Sequence, residues 1–136
     1  MKELWINFDW VIIAVTAFHA ILFLQSGLDK LINFGGNKEW LTGHFSKSIF
    51  KNQVGLLLSL LTVLELAAGA TSLVAMALEM LGQESFLPHL SIMLCIKSYL
   101  ALFLGQRIAQ DYEGAASLAP YFLIALAAAI YLQFVL

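Results

Sequence analysis

Residues 54–78 read VGLLLSLLTVLELAAGATSLVAMAL, and the reading of this stretch decides the fold. Apart from Glu65 it is apolar or small throughout, bounded by Lys51 before it and Glu79 after it. It is somewhat longer than the roughly 20 residues a helix needs to cross the hydrocarbon of a bilayer. Hydrocarbon offers backbone N–H and C=O groups no partner, so such a segment must close its hydrogen bonds internally as a helix. A barrel strand would alternate polar and apolar residues, and this run does not.

Three more stretches read the same way, at about 10–28 (Asp9 to Asp29), 86–106 (Glu84 to Arg107) and 115–136 (after Glu113). The expected fold is therefore all-α: one integral membrane four-helix bundle occupying residues 1–136 as a single transmembrane domain. Composition agrees. Hydrophobic residues make up 61% of the chain and charged residues 12%, about half the share of a soluble domain. The first apolar stretch runs into Gln25-Ser-Gly-Leu-Asp-Lys30 rather than a small-x-small cleavage site, so we read it as a retained span and not a signal peptide. Pro120 near the start of the fourth span is tolerated there. Trp5, Trp10, Tyr112 and Tyr121 suit an interfacial aromatic belt.

Basic residues set the orientation. The first loop holds Lys30, Lys38, Lys47 and Lys51, and the third loop holds Arg107. The opposite side holds Lys2 alone, while the second loop carries Glu79 and Glu84. The expectation is loops one and three in the cytoplasm and both termini outside. Within loop one, 37–51 has helical periodicity: Trp40, Leu41, His44, Phe45 and Ile49 share a face, with the lysines away from it. Asn37 is the expected N-cap, and the segment the expected short amphipathic helix lying in the interface. It is either a connector resting on the membrane or a lid or docking element.

Polar residues inside the spans carry the functional reading. His19, Glu65 and Lys97 each interrupt an apolar run near its middle. An ionised group at that depth costs about 2.5–3.5 kcal/mol on insertion scales, so the three are expected to face one another as a buried polar cluster. Glu65 and Lys97 would pair, with His19 hydrogen-bonding; a proton transfer leaving both neutral is the alternative. Gly55, Ser59, Thr62, Glu65, Gly69 and Ser72 form one small and polar stripe, and Ser91, Cys95 and Ser98 a second, suited to close helix contact and to hydroxyl bonds across it. Such a cluster either fixes helix register or serves as a proton relay, a polar ligand site or a contact for a quinone-like head group. At the loop-one end, Asp29 with Arg107, or Lys30 with Asp111, are candidate pairs if these charges are not simply solvated.

Several functions are excluded or unsupported. The net charge of -2 and the absence of a basic run argue against a nucleic-acid partner. A single cysteine, Cys95, rules out an intrachain disulfide and Cys-x-x-Cys electron shuttling. No metal-ligand spacing joins His19, His44 and His89, and no phosphate-binding glycine loop or Ser/His/Asp arrangement is readable, so the catalytic and cofactor-binding residues stay open and no metal is expected.

The end of the first span reads Phe23-Leu-Gln-Ser-Gly-Leu-Asp-Lys-Leu31, followed by Phe34, and the second span carries Glu65-Leu-Ala-Ala-Gly69. A Gly-x-x-Lys-Leu after the first span and a Glu-x-x-x-Gly inside the second resemble the DoxX family of small four-helix bacterial membrane proteins. The matching positions are Gly27, Lys30, Glu65 and Gly69; His19 and Lys97 lie outside the pattern, and Gly105-Gln106-Arg107 partly echoes the family's glycine-rich ending after the third span. The resemblance implies a small membrane subunit working with a larger or soluble partner. Members look like subunits tied to thiosulfate:quinone oxidation, partners in oxidative-stress complexes, or assembly chaperones. The leading expectation is an accessory or assembly subunit of a bacterial membrane complex, redox- or quinone-linked. The alternatives are a quinone- or lipid-binding oxidoreductase subunit, which would make it part of an enzyme with quinone as cofactor, and a small transporter or channel, for which no span broken by paired Gly/Pro speaks. The expected partners are the lipid bilayer and other protein subunits.

Overall fold

The computed structural model describes residues 9–46, 48–49 and 52–134. Lys2, Trp5, Lys47, Lys51 and the end of the fourth span at Leu136 lie outside the described residues. The helices are α1 (Trp10–Ile32), α2 (Phe34–His44), α3 (Val54–Met80), α4 (Leu87–Ile108), α5 (Tyr112–Ala116) and α6 (Ala119–Phe134), and there is no strand among the described residues. Four stretches are long and apolar enough to cross a membrane: α1, α3, α4, and Tyr112–Phe134 taken through α5 and α6. This suggests a multi-pass membrane protein.

The helix ends follow from local chemistry. Asp9 caps α1: its Oδ1 accepts from the amides of Val11 (2.8 Å) and Ile12 (3.4 Å). Both α3 and α4 end in a left-handed residue with the double hydrogen bond of a Schellman motif. After α3, Gly82 has φ 73°, its amide donates to Glu79 O, and that of Gln83 donates to Leu78 O. After α4 the same position is Gln110, at φ 63°, with Gln110 N donating to Arg107 O and Asp111 N to Gln106 O. The fourth stretch is interrupted between Ala116 and Ala119. Pro120 has no N–H to give the Ala116 carbonyl and its ring crowds it, so the chain turns there and restarts.

Two expectations about loop one are corrected. Its helix spans Phe34–His44, not 37–51, and its N-cap is Asn33, not Asn37. Gly35 and Gly36 continue the helix, and Asn37 is inside it, where its Nδ2 donates to Asn33 O (2.8 Å) rather than opening a turn. The first span is also longer than 10–28, because Asp29 and Lys30 continue α1 to Ile32.

The most extensive packing is α1 on α3, then α3 on α4; α6 joins through α4. Phe23, Ala68, Cys95, Tyr99 and Ala125, from all four long helices, meet in one buried cluster. Ile12, Ile92, Ala128 and Leu132 form a second, nearer the start of α1. The stripe on α3 faces this interior from Thr62 onward, with Thr62, Glu65, Gly69 and Ser72 buried, while Ser59 is exposed. Its hydroxyls do not bridge helices as expected. Thr62 Oγ1 donates to Leu58 O (2.7 Å), and Thr16 and Ser98 likewise donate to carbonyls of their own helix. The exception is Ser72 Oγ, 3.8 Å from Cys95 Sγ on α4.

Candidate functional site

The site is built where α1 crosses α3. A Cβ added at Gly69 would stand 2.8 Å from the backbone nitrogen of Leu24, and one at Gly27 would stand 2.7 Å from Leu66 Cδ2 and 3.2 Å from Leu66 N. Only glycine permits this approach of one backbone to the other. The two contacts run in opposite senses along the chain, so α1 and α3 are antiparallel. Lys30 lies one turn beyond Gly27, and Glu65 one turn before Gly69, which brings them level. Lys30 Nζ is 3.1 Å from Glu65 Oε1, with the lysine side chain 16% exposed and the carboxylate fully buried. The ammonium also donates to Ser26 Oγ at 2.8 Å. Glu65 meets the lysine as an ion contact without an aligned hydrogen bond, and its Oε2 is buried with no hydrogen-bond partner.

The four positions Gly27, Lys30, Glu65 and Gly69 are therefore one structural unit: two glycines set the distance between helices, and the pair spans it. Lysine is suited to the task. It reaches the buried carboxylate from a position near a helix end and keeps a third N–H free of both partners.

Lys30 also lines a cavity of about 470 Å³ beneath α2. Trp40, Leu41 and Phe45 wall it on one side, Leu57, Leu61 and Leu64 of α3 and Ala101 of α4 on others; its polar groups are Lys30, Asn37 and Gln106. The size and mostly apolar lining fall within the range of small-ligand sites. α2 is fastened over it at one end, where His44 Nε2 is 2.8 Å from Gln106 Oε1 and 3.6 Å from Asp111 Oδ2.

The expected cluster of His19, Glu65 and Lys97 does not assemble. His19 is buried, but its Nδ1–H donates to Val15 O at 2.8 Å, and its ring packs against Phe18, Phe23 and Tyr99, with centroids 5.2, 6.0 and 5.8 Å away. From His19 to Lys30 is about 16 Å along α1 at the usual helical rise. Two buried polar atoms here, His19 Nε2 and Tyr99 Oη, have no hydrogen-bond partner. Lys97 is exposed. It stands one residue from buried Ser98 and two from buried Cys95, and steps of about 100° per residue carry it off the bundle-facing side. The cation expected at Glu65 is thus Lys30, not Lys97.

The candidate pairs at the loop-one end are also replaced. Arg107 lies over the Tyr112 ring, 4.4 Å from its centroid, and not against Asp29. Asp111 caps α5 by accepting from Gly114 N (2.9 Å) and faces His44 rather than Lys30. At the opposite end is a tie the sequence did not disclose. Glu79 Oε1 accepts from the Asp9 amide (2.8 Å), and Tyr131 Oη donates to Asp9 Oδ2, joining the starts and ends of α1, α3 and α6. The residues of the Lys30–Glu65 pair were marked in the sequence only by the resemblance, through Gly-x-x-Lys and Glu-x-x-x-Gly, and not as partners. The cavity left no signal, since its walls come from four separate segments. Comparisons of the chain with protein-family models, with curated proteins and with solved structures found no match.

Proposed function

We propose that this chain is an accessory or assembly subunit of a bacterial inner-membrane complex, with loops one and three in the cytoplasm and both termini outside. The observation that carries this reading is Lys97. It is exposed at the middle of α4, about 15 Å from either helix end at the usual rise. Intramembrane charges almost always face a bundle interior or a water-filled cavity. A lysine on the outside of an apolar bundle at mid-depth therefore calls for something beyond this chain to cover it. The resemblance to DoxX proteins supports the same reading and adds a redox or quinone link. Its four matching positions do the work of holding α1 to α3, which is what a subunit scaffold needs. Extraction of the tagged chain from native membranes in mild detergent, with quantitative mass spectrometry, tests the proposal. A stoichiometric companion that is lost in Lys97→Leu is the expected result; a chain that always runs alone counts against it.

A second reading, a quinone- or lipid-binding oxidoreductase subunit, is favoured by the cavity that ends on Lys30. It expects Glu65→Gln to abolish quinone-linked electron transfer while the helices stay folded. Unchanged transfer in that variant removes it.

A further inference from the structure

The exposed side of α4 carries an apolar stripe with one charge inside it. Met93, Leu100 and Leu104 are 50%, 50% and 58% exposed, and Lys97 is exposed with them. The steps 93–97–100–104 are four, three and four. That is the spacing of the seam along which one helix packs on another, with Lys97 at a single polar position inside an otherwise apolar stripe. A lone polar residue in such a seam sets register and partner choice at some loss of stability.

We infer that this stripe docks a transmembrane helix of a different protein, and that the partner helix carries a carboxylate at mid-depth opposite Lys97. This rests on the subunit reading and names the chemistry of the partner. Three points select it. Lipid tails cannot satisfy an ammonium, and Lys97 is too far from either end of α4 for its side chain to reach the headgroups. A second copy of this chain, packed stripe to stripe about a two-fold axis, would set one Lys97 against the other. Nor can a second copy offer an acid at the right depth: among the described residues Glu65 is the one carboxylate in the middle of a candidate span, and it is buried and already paired with Lys30. The remaining described carboxylates lie at, near or beyond the ends of the four long helices, or in α2 and α5.

The test uses the full-length chain in lipid vesicles with synthetic leucine-based transmembrane helices carrying Glu, Gln, Leu or Lys at the central position. Association is read by resonance energy transfer between labelled chain and labelled helix. The Glu helix is expected to bind about ten-fold more tightly than the Leu helix, in line with interhelical polar contacts in model membranes. Lys97→Leu should erase the difference, and Lys97→Glu should invert the preference toward the Lys helix. Both substitutions are on the exterior and leave the interior packing untouched, so folding is not at stake. Equal binding of the Glu and Leu helices to the wild type overturns the inference. So does a preference for the Glu helix that survives Lys97→Leu, and so does wild-type self-association that Lys97→Leu abolishes. The native-membrane extraction separates this from the subunit reading. A chain with no native companion would sink the subunit reading and this inference with it, whereas a companion that stays bound to Lys97→Leu, with no helix selectivity, would sink this one alone.

Discussion

Gly69 has no side chain, and the backbone of Leu24 occupies the space where one would begin, 2.8 Å from an added Cβ. At Gly27 an added Cβ would meet Leu66 Cδ2 at 2.7 Å and Cγ at 2.8 Å, which can shift in part, and the Leu66 backbone nitrogen at 3.2 Å, farther off than the backbone is at Gly69. Overpacking a close contact costs about 1–3 kcal/mol, while replacing a helical glycine by alanine returns at most about 1 kcal/mol. Gly69→Ala should therefore lower stability measurably, and Gly27→Ala should lower it by less; thermal unfolding in detergent followed by circular dichroism ranks them. The reverse order would mean that α1 and α3 are not held this close. The Lys30–Glu65 pair gives a second residue-scale expectation. Lys30→Met leaves the fully buried Glu65 without its cation, which should cost about 3–5 kcal/mol, and the double variant Lys30→Met/Glu65→Met should recover most of that, since an apolar pair of similar volume is close to neutral. A double variant no more stable than the single one would show that the pair is not the partnership these helices depend on.

At the scale of the element, boundaries follow from end chemistry more than from hydropathy. The matched Schellman turns after α3 and α4 use Gly82 in one and Gln110 in the other. A side chain at φ near 60° carries a steric penalty of about 1–2 kcal/mol that glycine escapes, partly offset by the greater freedom of glycine in the unfolded chain. Gln110→Gly should thus stabilise the protein by about 0.5–1 kcal/mol, seen as a higher midpoint in the same melts. A lower midpoint would mean that the Gln110 side chain makes a contact worth more than the strain. A helix in loop one was legible, but its limits were not. Gly35 and Gly36 look like breakers in sequence, yet the α2 backbone continues through them to join α1 across the single residue Asn33. Likewise α4 was expected to turn Lys97 toward Glu65. A polar residue beside a buried stripe reads as inward only until the stripe's rotation is known, and Ser98 and Cys95 take the inward positions.

For the whole molecule, orientation is the open expectation that experiment can settle most directly. Cys95 is fully buried, so an added surface cysteine will be labelled over little background. In intact cells, Gln83→Cys in the second loop should react with a membrane-impermeant maleimide, whereas Ser46→Cys in the first should react only after permeabilisation. The opposite pattern would invert the topology drawn from Lys30, Lys38, Lys47, Lys51 and Arg107. Part of the site was readable. Glu65 and Gly69 stood out in sequence on the small and polar stripe of α3, while Gly27 and Lys30 joined them only through the resemblance to DoxX proteins, and the crossing that unites the four was not foreseen. The cavity under α2 and the Asp9–Glu79–Tyr131 tie did not stand out, because their members lie up to 122 residues apart.

The sequence by itself determined the class of the protein: four long apolar segments, an all-helical chain, a helix in the first loop and a small set of polar residues inside the apolar runs. These follow from local composition and periodicity, which a linear reading can measure. Tertiary structure alone decided which of those polar residues meet. It gave Glu65 to Lys30, enclosed His19 among aromatic rings and turned Lys97 outward. The reason is geometric: pairing depends on the rotation and level of each helix against its neighbours, and a shift of one residue turns a side chain by about 100°, from the interior of the bundle to its surface.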